Sequence, residues 1–453
     1  MIIRLVVQNI YSFGDATEFN MLPRPKIRTP EGHKYSINGF DLLKLSAMYG
    51  PNAAGKSNFI KAVGLIQKLV LGEISSTVVQ DAQFKFGPSE NVRQVLALEF
   101  LQDNQPFYYA VEIVDGHIQT EELYLSGLGK TPDILLFERK TLSDNQEVLT
   151  FSKEFEQDEK SQLLKTILSE EFLDPTYTMF EWVAHRDNPH LKAVKTAYNW
   201  FLLALRVIGP ASNQHALAQK LDNDPNFKKF VGVILPCFNL GISNLEFVSK
   251  TENDASDISE TPFSAETGAS TSNSKRTTHH YNIKENQPLA FVKEPTQPLG
   301  KKLQVSPINQ NGKQVNFNLN SISDGTIRLL DYLSAFYDLI NQPKVYLIDE
   351  FDRSIHPSLA KELVKKFAMD SDTKGQLIFT THASDLLDQS IFRQDEVWLA
   401  EKKVNGATEL YALSDFKEHN TIDIRKGYLN GRYGAVPFLS DLQDLNWHLY
   451  DLD

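Results

Sequence analysis

Gly50-Pro-Asn-Ala-Ala-Gly-Lys-Ser57 decides how this chain of 453 residues is read. It is a complete G-x-x-x-x-G-K-S phosphate loop. Its two glycines let backbone N–H groups turn toward a β-phosphate without side-chain obstruction, and the helix that follows offers its positive end to the anion. Lys56 is placed to reach the β- and γ-phosphates, and Ser57 to ligate Mg²⁺. With glycine near 7% of residues, a random chain of this length shows the pattern on the order of once in a hundred. The flanks sharpen the signal. Leu43-Lys-Leu-Ser-Ala-Met-Tyr49 is a short apolar run that reads as a buried strand entering the loop. From Lys56 to about Leu71, helical spacing puts Phe59, Val63, Ile66 and Val70 on one inner face.

Far downstream, Lys344-Val-Tyr-Leu-Ile-Asp-Glu350 is an apolar strand ending in two acids. An α/β sheet places its ligand chemistry at such C-terminal strand ends. Asp349 is expected to hold magnesium, directly or through water, and Glu350 to polarise an attacking water. Taken alone, the pair serves equally well as a solvated turn; beside a complete phosphate loop the catalytic reading prevails. Ser321-Ile-Ser-Asp-Gly-Thr326 precedes an amphipathic helix, and small hydroxyl residues at a helix start make either an anion site or an ordinary N-cap. Gln376-Leu-Ile-Phe-Thr-Thr-His382 is a second apolar strand, ending in a histidine suited to hydrogen-bond a γ-phosphate oxygen. A lone strand-end histidine is usually incidental. The order of the four features gives it weight.

That order, phosphate loop, serine-glycine helix start, Asp-Glu strand and strand-histidine, resembles ABC ATPases. The chain is similar to non-transporter ABC ATPases of the RecF/SMC-like group, and within it to stand-alone ATPases related to OLD (overcoming lysogenization defect) proteins and to RloA-type and abortive-infection ATPases of phage defence. The residues that carry the resemblance are Gly50–Asn58, Phe84-Lys-Phe-Gly-Pro-Ser-Glu90, Leu136-Phe-Glu-Arg139, Ile322–Leu330, Leu347–Pro357, Phe379–Asp385 and Tyr428–Pro437. They span most of the chain outside about 150–300. The resemblance implies an α/β ABC-type P-loop head, a mixed sheet with a β-rich N-terminal subdomain, and an inserted, mainly helical arm. It implies ATP and Mg²⁺ as ligands, hydrolysis to ADP and phosphate, and ATP sandwiched between two heads of a homodimer or higher homo-oligomer. Gly50, Pro51, Asn52, Ala53, Ala54, Gly55, Lys56, Ser57 and Asn58 would hold the nucleotide, with Ser57 and Asp349 on the metal. Ser323 and Gly325 would touch ATP held by the opposite head. Asp352 would communicate across the interface, and His382 would be the switch histidine. Thr326 follows Gly325 where transporters usually carry Gln, and the magnesium-coordinating Gln of many ABC proteins has no secure counterpart, Gln83 being one candidate.

Composition sets wide bounds. Apolar residues make up 41% of the chain and charged ones 23%, as in ordinary globular proteins. The net charge of −12 disfavours indiscriminate nucleic-acid binding, although an average does not exclude a local basic groove. One cysteine, Cys237, excludes an intramolecular disulfide and a cysteine zinc site, and fits a reducing cytoplasm. No run of eighteen apolar residues exists to span a membrane. The N-terminal Met1–Ile10 lacks the apolar region of a signal peptide and reads as a first strand.

Further along, alternation around Phe13-Gly14-Asp15 predicts a hairpin, and 94–101, 107–114 and 118–125 read as successive strands. From about 150 the pattern turns helical, with candidates at 156–172, 191–207 and 227–235. Residues 251–276, rich in Ser, Thr, Asn, Asp and Glu, read as a mobile loop. Strand pairs are expected over 303–321 and a helix over 324–339. The expected division is therefore 1–150 as the first part of the head, 151–300 as the insertion, and 301–453 as the second part.

More than 260 residues separate Ser57 from Ser323, too many for a transporter subunit and too few for the long arm of a chromosome-organising SMC protein. An AAA+ motor accounts for the loop and the acids but not for Ser323-Asp-Gly-Thr326 or Thr381-His382. The 71 residues after His382 leave no room for the Toprim nuclease of full-length OLD proteins. The expectation is a sensor or scaffold ATPase of anti-phage defence, answering to a phage protein and controlling a separate effector. The alternative is a RecF-like clamp on DNA, for which Arg186, Lys192, Lys195, Arg206, Lys220, Lys228 and Lys229 would supply basic side chains. Solvated helix faces explain those residues equally well.

Overall fold

A computed structural model describes residues 1–25, 27, 32–87, 92–142, 146–209, 220–221, 223–238, 242–249, 301–307, 317–318, 324–416 and 423–436. The chain divides into two compact units, one made of 1–211 and 338–453, the other of 212–337.

Among the described residues, the first unit contains two large sheets and a two-stranded one that pairs Lys34–Ile37 with Phe40–Leu43. One large sheet runs Leu205–Ile208, Val345–Ile348, Gln376–Thr380, Leu45–Tyr49, Val397–Lys402, Thr408–Ala412. Its first five strands are mutually parallel, and only the last pairs antiparallel. Val345–Ile348, Gln376–Thr380 and Leu45–Tyr49 are buried at every position. That is why they read as continuous apolar runs rather than alternating ones. The strand expected from Leu43 starts two residues later, because Leu43 closes the preceding strand Phe40–Leu43.

The second large sheet is wholly antiparallel and has seven strands, ordered Glu147–Phe151, Ile134–Thr141, His117–Leu125, Gln105–Val114, Arg93–Gln102, Ile2–Gln8, Thr17–Asn20. The expected first hairpin is present, pairing Ile2–Gln8 with Thr17–Asn20. Helix Lys56–Val70 lies in the core the two sheets share. Its Phe59, Ile60, Val63, Ile66 and Leu69 cluster with Leu5, Leu98 and Phe100 of the antiparallel sheet and Val345, Leu347 and Ile378 of the parallel one. The Gln376 side chain stitches the sheets together, accepting from the Ile2 N–H at 2.7 Å and donating to the Ile2 and Leu43 carbonyls.

A second pin is the fully buried pair Glu121 and Arg139, opposite each other on neighbouring strands. Glu121 accepts from the backbone N–H groups of Met179 and Phe180 and from the Tyr109 hydroxyl. Arg139 donates to the Asp174 and Tyr177 carbonyls and to Glu147. Together they fasten residues 174–180 to the sheet, a structural use for the Leu136–Arg139 motif.

The helical reading of 151–300 is corrected at Leu205–Ile208. Helix Lys192–Asn199 passes through a π-turn at Trp200–Ala204 and then becomes the strand Leu205–Ile208, so the helix expected to Val207 stops short. Period alone does not separate a short apolar run in a helix from a buried strand. Here parallel pairing of Leu205–Ile208 with Val345–Ile348 decided it. Residues 151–211 accordingly pack within the first unit, through helices Lys153–Gln157, Glu159–Glu171, Phe180–Ala184 and Lys192–Asn199. The loop expected at 251–276 lies outside the described residues.

The second unit holds helix Pro225–Ile234 and the antiparallel strands Ile242–Ser249, Lys301–Pro307 and Phe317–Asn318. Asp224 caps helix Pro225–Ile234, accepting from the N–H groups of Asn226 and Phe227. Most of helix Asp324–Asn341 also belongs here. Among the described residues, no helix is long and apolar enough to cross a membrane.

Candidate functional site

Three adjacent parallel strands, Val345–Ile348, Gln376–Thr380 and Leu45–Tyr49, end on the same side of the sheet. Each delivers its chemistry just past its last residue. The phosphate loop leaves Tyr49 and turns into helix Lys56–Val70, with Ala53 and Gly55 in left-handed conformations at φ 63° and 104°. Glycine is required twice. A Cβ on Gly50 would stand 2.3 Å from the Ala400 carbonyl oxygen, and one on Gly55 would stand 2.0 Å from Thr408 Oγ1. Asn52 and Ala53 at the tip are exposed, Pro51 is partly buried, and Ala54 is buried.

Lys56 folds back along the loop and donates to the Gly50 and Pro51 carbonyls, both at 2.9 Å. Burial pushes its ammonium down to about 8, against the opposing pull of Asp349, Asp352 and Glu350. A cation held by two carbonyls beside the N–H groups of a glycine loop is an arrangement suited to an anion. Ser57 Oγ donates to Asp349 Oδ1 at 3.1 Å. A hydroxyl and a carboxylate meeting in this way are the hard oxygen donors that Mg²⁺ takes alongside phosphate oxygens and water. The donor set therefore fits that ion.

Glu350 follows in the left-handed region at φ 52° and is partly exposed, with Arg353 donating to its carboxylate at 3.3 Å. Thr380 Oγ1 donates to Asp349 Oδ1 at 2.6 Å and accepts from the Glu350 N–H at 2.8 Å. The His382 N–H is bound by Asp352 Oδ1 at 3.2 Å. Partial burial and then the Lys56 charge lower the His382 pKa below its usual 6.5, outweighing the nearby acids. The imidazole is thus neutral near pH 7, able to donate one hydrogen bond and accept another.

The sequence-predicted residues Gly50 to Asn58, Asp349, Glu350, Asp352 and His382 all fall at this end of the sheet. Ser323 lies outside the described residues. Gly325 is in the first turn of helix Asp324–Asn341, within the second unit. Gln83, the candidate for magnesium, forms an isolated bridge with Ile10. Sequence reasoning missed a brace behind the loop: Asn58 Nδ2 donates to Ser12 Oγ at 2.9 Å, while Thr408 Oγ1 lies 2.7 Å from Ser12 Oγ and 2.9 Å from the Ala54 carbonyl. Ser12 and Thr408 carry no local signal. Thr380 and Arg353 were also missed, although a hydroxyl closing the apolar run Leu377–Phe379 was a cue for Thr380.

Comparison with protein-family models matches residues 45–388 to the family described as "AAA domain, putative AbiEii toxin, Type IV TA system". The chain belongs to this family. The match takes in the phosphate loop, both acids and His382, and the architecture over it is α/β, a largely parallel sheet beside an antiparallel one. No curated protein matches the chain. Solved structures similar to it include an SmcHead bound to the C-winged helix domain of ScpA, at 12% identity and TM-score 0.42, covering 91% of this chain and 97% of that one. Another is the SMC head domain from Thermotoga maritima, at 12% identity and TM-score 0.37, with coverage of 91% and 98%. A third is an Smc head domain with an extended coiled coil bound to the C-terminal domain of ScpA derived from Pyrococcus furiosus, at 11% identity and TM-score 0.41, with coverage of 95% and 98%.

Proposed function

We propose that this protein binds Mg·ATP on residues 50–58 and hydrolyses it at a site completed by a second copy of the chain. One observation carries the reading: Lys56, the Ser57–Asp349 pair, Glu350 and His382 converge at the ends of three adjacent strands, as phosphoryl transfer requires. Lys56 and the loop amides neutralise the triphosphate. Ser57 and Asp349 would hold Mg²⁺, which when bound would supply further charge stabilisation at the phosphates. Glu350 orients the attacking water and takes its proton, and neutral His382 donates to the transferred phosphoryl group. Ser323 and Gly325 reach the nucleotide of the facing copy, and Asp352 links the two sites.

We further infer that turnover governs a separately encoded effector in anti-phage defence. The family's description, naming a putative toxin of a Type IV TA system, supports a role beside another protein. The test uses full-length protein. Lys56→Ala should lose ATP binding or turnover. Glu350→Gln should bind Mg·ATP, accumulate as a dimer in light scattering, and turn over about a hundredfold slower or less. Turnover per chain should fall on dilution. Constant specific activity across the dimer–monomer range would refute the shared site, and undiminished activity in Glu350→Gln would remove Glu350 from the chemistry. ATP-dependent, salt-sensitive DNA binding by the protein alone would favour a clamp instead.

A further inference from the structure

We propose that Thr380 is a positioning residue that sets both acids of the site in a single geometry. The inference rests on the ATPase reading above and assigns a role that the motif residues leave open.

Thr380 is the last residue of a strand whose Leu377, Ile378 and Phe379 are buried and apolar, and it is itself 1% exposed. A hydroxyl in such a place costs free energy unless it is bonded. It has one proton to give. At 2.6 Å that proton goes to Asp349 Oδ1, the same oxygen that Ser57 reaches. A lone pair of the hydroxyl then accepts the Glu350 N–H at 2.8 Å, and the Thr380 carbonyl accepts the next N–H, that of Phe351, at 2.9 Å. Three consecutive residues, 349 to 351, are therefore tied to one residue on the neighbouring strand.

Those bonds account for the backbone at Glu350. A left-handed glutamate at φ 52° is unfavourable by itself and persists only where surrounding contacts over-determine it. Two successive N–H groups aimed at Thr380 do so. The consequence reaches the chemistry through other groups: the carboxylate assigned to the metal and the backbone carrying the assigned base are fixed relative to each other by one hydroxyl. Thr380 touches neither water nor phosphate in this scheme.

Thr380→Val keeps shape and removes only the hydroxyl, and Thr380→Ser restores the hydroxyl without the methyl. For Val, we expect the turnover number to fall about 10- to 100-fold, the loss of a hydrogen bond to a charged group plus an orphaned N–H. The Mg²⁺ concentration for half-maximal binding of a fluorescent ATP analogue should rise about tenfold. Analogue affinity without Mg²⁺ and the KM for ATP should stay within about twofold, a split that a folding defect does not produce. Ser should recover turnover and Mg²⁺ dependence to within about threefold of wild type. A Val variant matching wild type in both readouts would overturn the proposal, as would a Ser variant no better than Val. If wild-type protein bound no Mg·ATP, the ATPase reading would fall and this one with it; an active wild type with an indifferent Val variant would overturn only the role of Thr380.

Discussion

Lys56 makes the nucleotide site sensitive to pH in a way that can be worked out in advance. Burial pushes its pKa to about 8, with Asp349, Asp352 and Glu350 restoring part of the loss. A triphosphate in the loop would hold the ammonium charged to much higher pH. Above pH 8 binding must therefore take up a proton, and affinity falls toward tenfold per pH unit. Between pH 7.5 and 9 the loss comes to about eightfold. His382 contributes nothing there, because its pKa lies below its usual 6.5. Stability moves the other way. Lys56 and Lys44 both have folded values near 8 against 10.5 when free, so the unfolded chain binds more protons between those limits and stability rises with pH across them. Weaker binding thus cannot be ascribed to unfolding. The assay is titration of Mg·ATP into Glu350→Gln at several pH values, beside a Lys56→Arg counterpart whose guanidinium stays charged throughout. A flat profile to pH 9 with lysine at position 56, or the same slope with arginine there, would refute the argument.

Two further substitutions test the scaffold. Gly55→Ala places a Cβ 2.0 Å from Thr408 Oγ1 and 2.7 Å from Ser12 Oγ at φ 104°, and should lower unfolding free energy by about 2–4 kcal/mol in urea titrations. Adding Thr408→Ala should recover only the part due to Oγ1, since Ser12 Oγ at 2.7 Å and the strained φ remain; full recovery would show that both are immaterial there. Arg139→Ala leaves Glu121 buried without its cation and the Asp174 and Tyr177 carbonyls without a donor. It should lower stability by about 3–5 kcal/mol, and an unchanged denaturation midpoint would show that the pair is dispensable.

The parts of the site legible in the sequence are those whose signal is linear. Gly50–Ser57 combines a fixed spacing with an apolar strand before it and a helical period after it. Asp349-Glu350 and His382 each close an apolar run. A parallel strand buried on both faces must read as such a run, and its C-terminal end must carry the polar ligands. The helix expected to Val207 failed because Leu205-Arg-Val-Ile208 suits a helix or a strand equally, and only pairing with Val345–Ile348 distinguishes them.

By itself, then, the sequence determined that a phosphate loop, two acids and a histidine end separate strands of an α/β sheet, since local spacing and hydrophobic period encode that much. Tertiary structure alone decided how those groups are held. Ser12 and Thr408 meet behind the loop across 396 positions, and Thr380 joins Asp349 to Glu350 across about thirty. A hydrogen bond between strands depends on their register and order, which no local window of sequence contains.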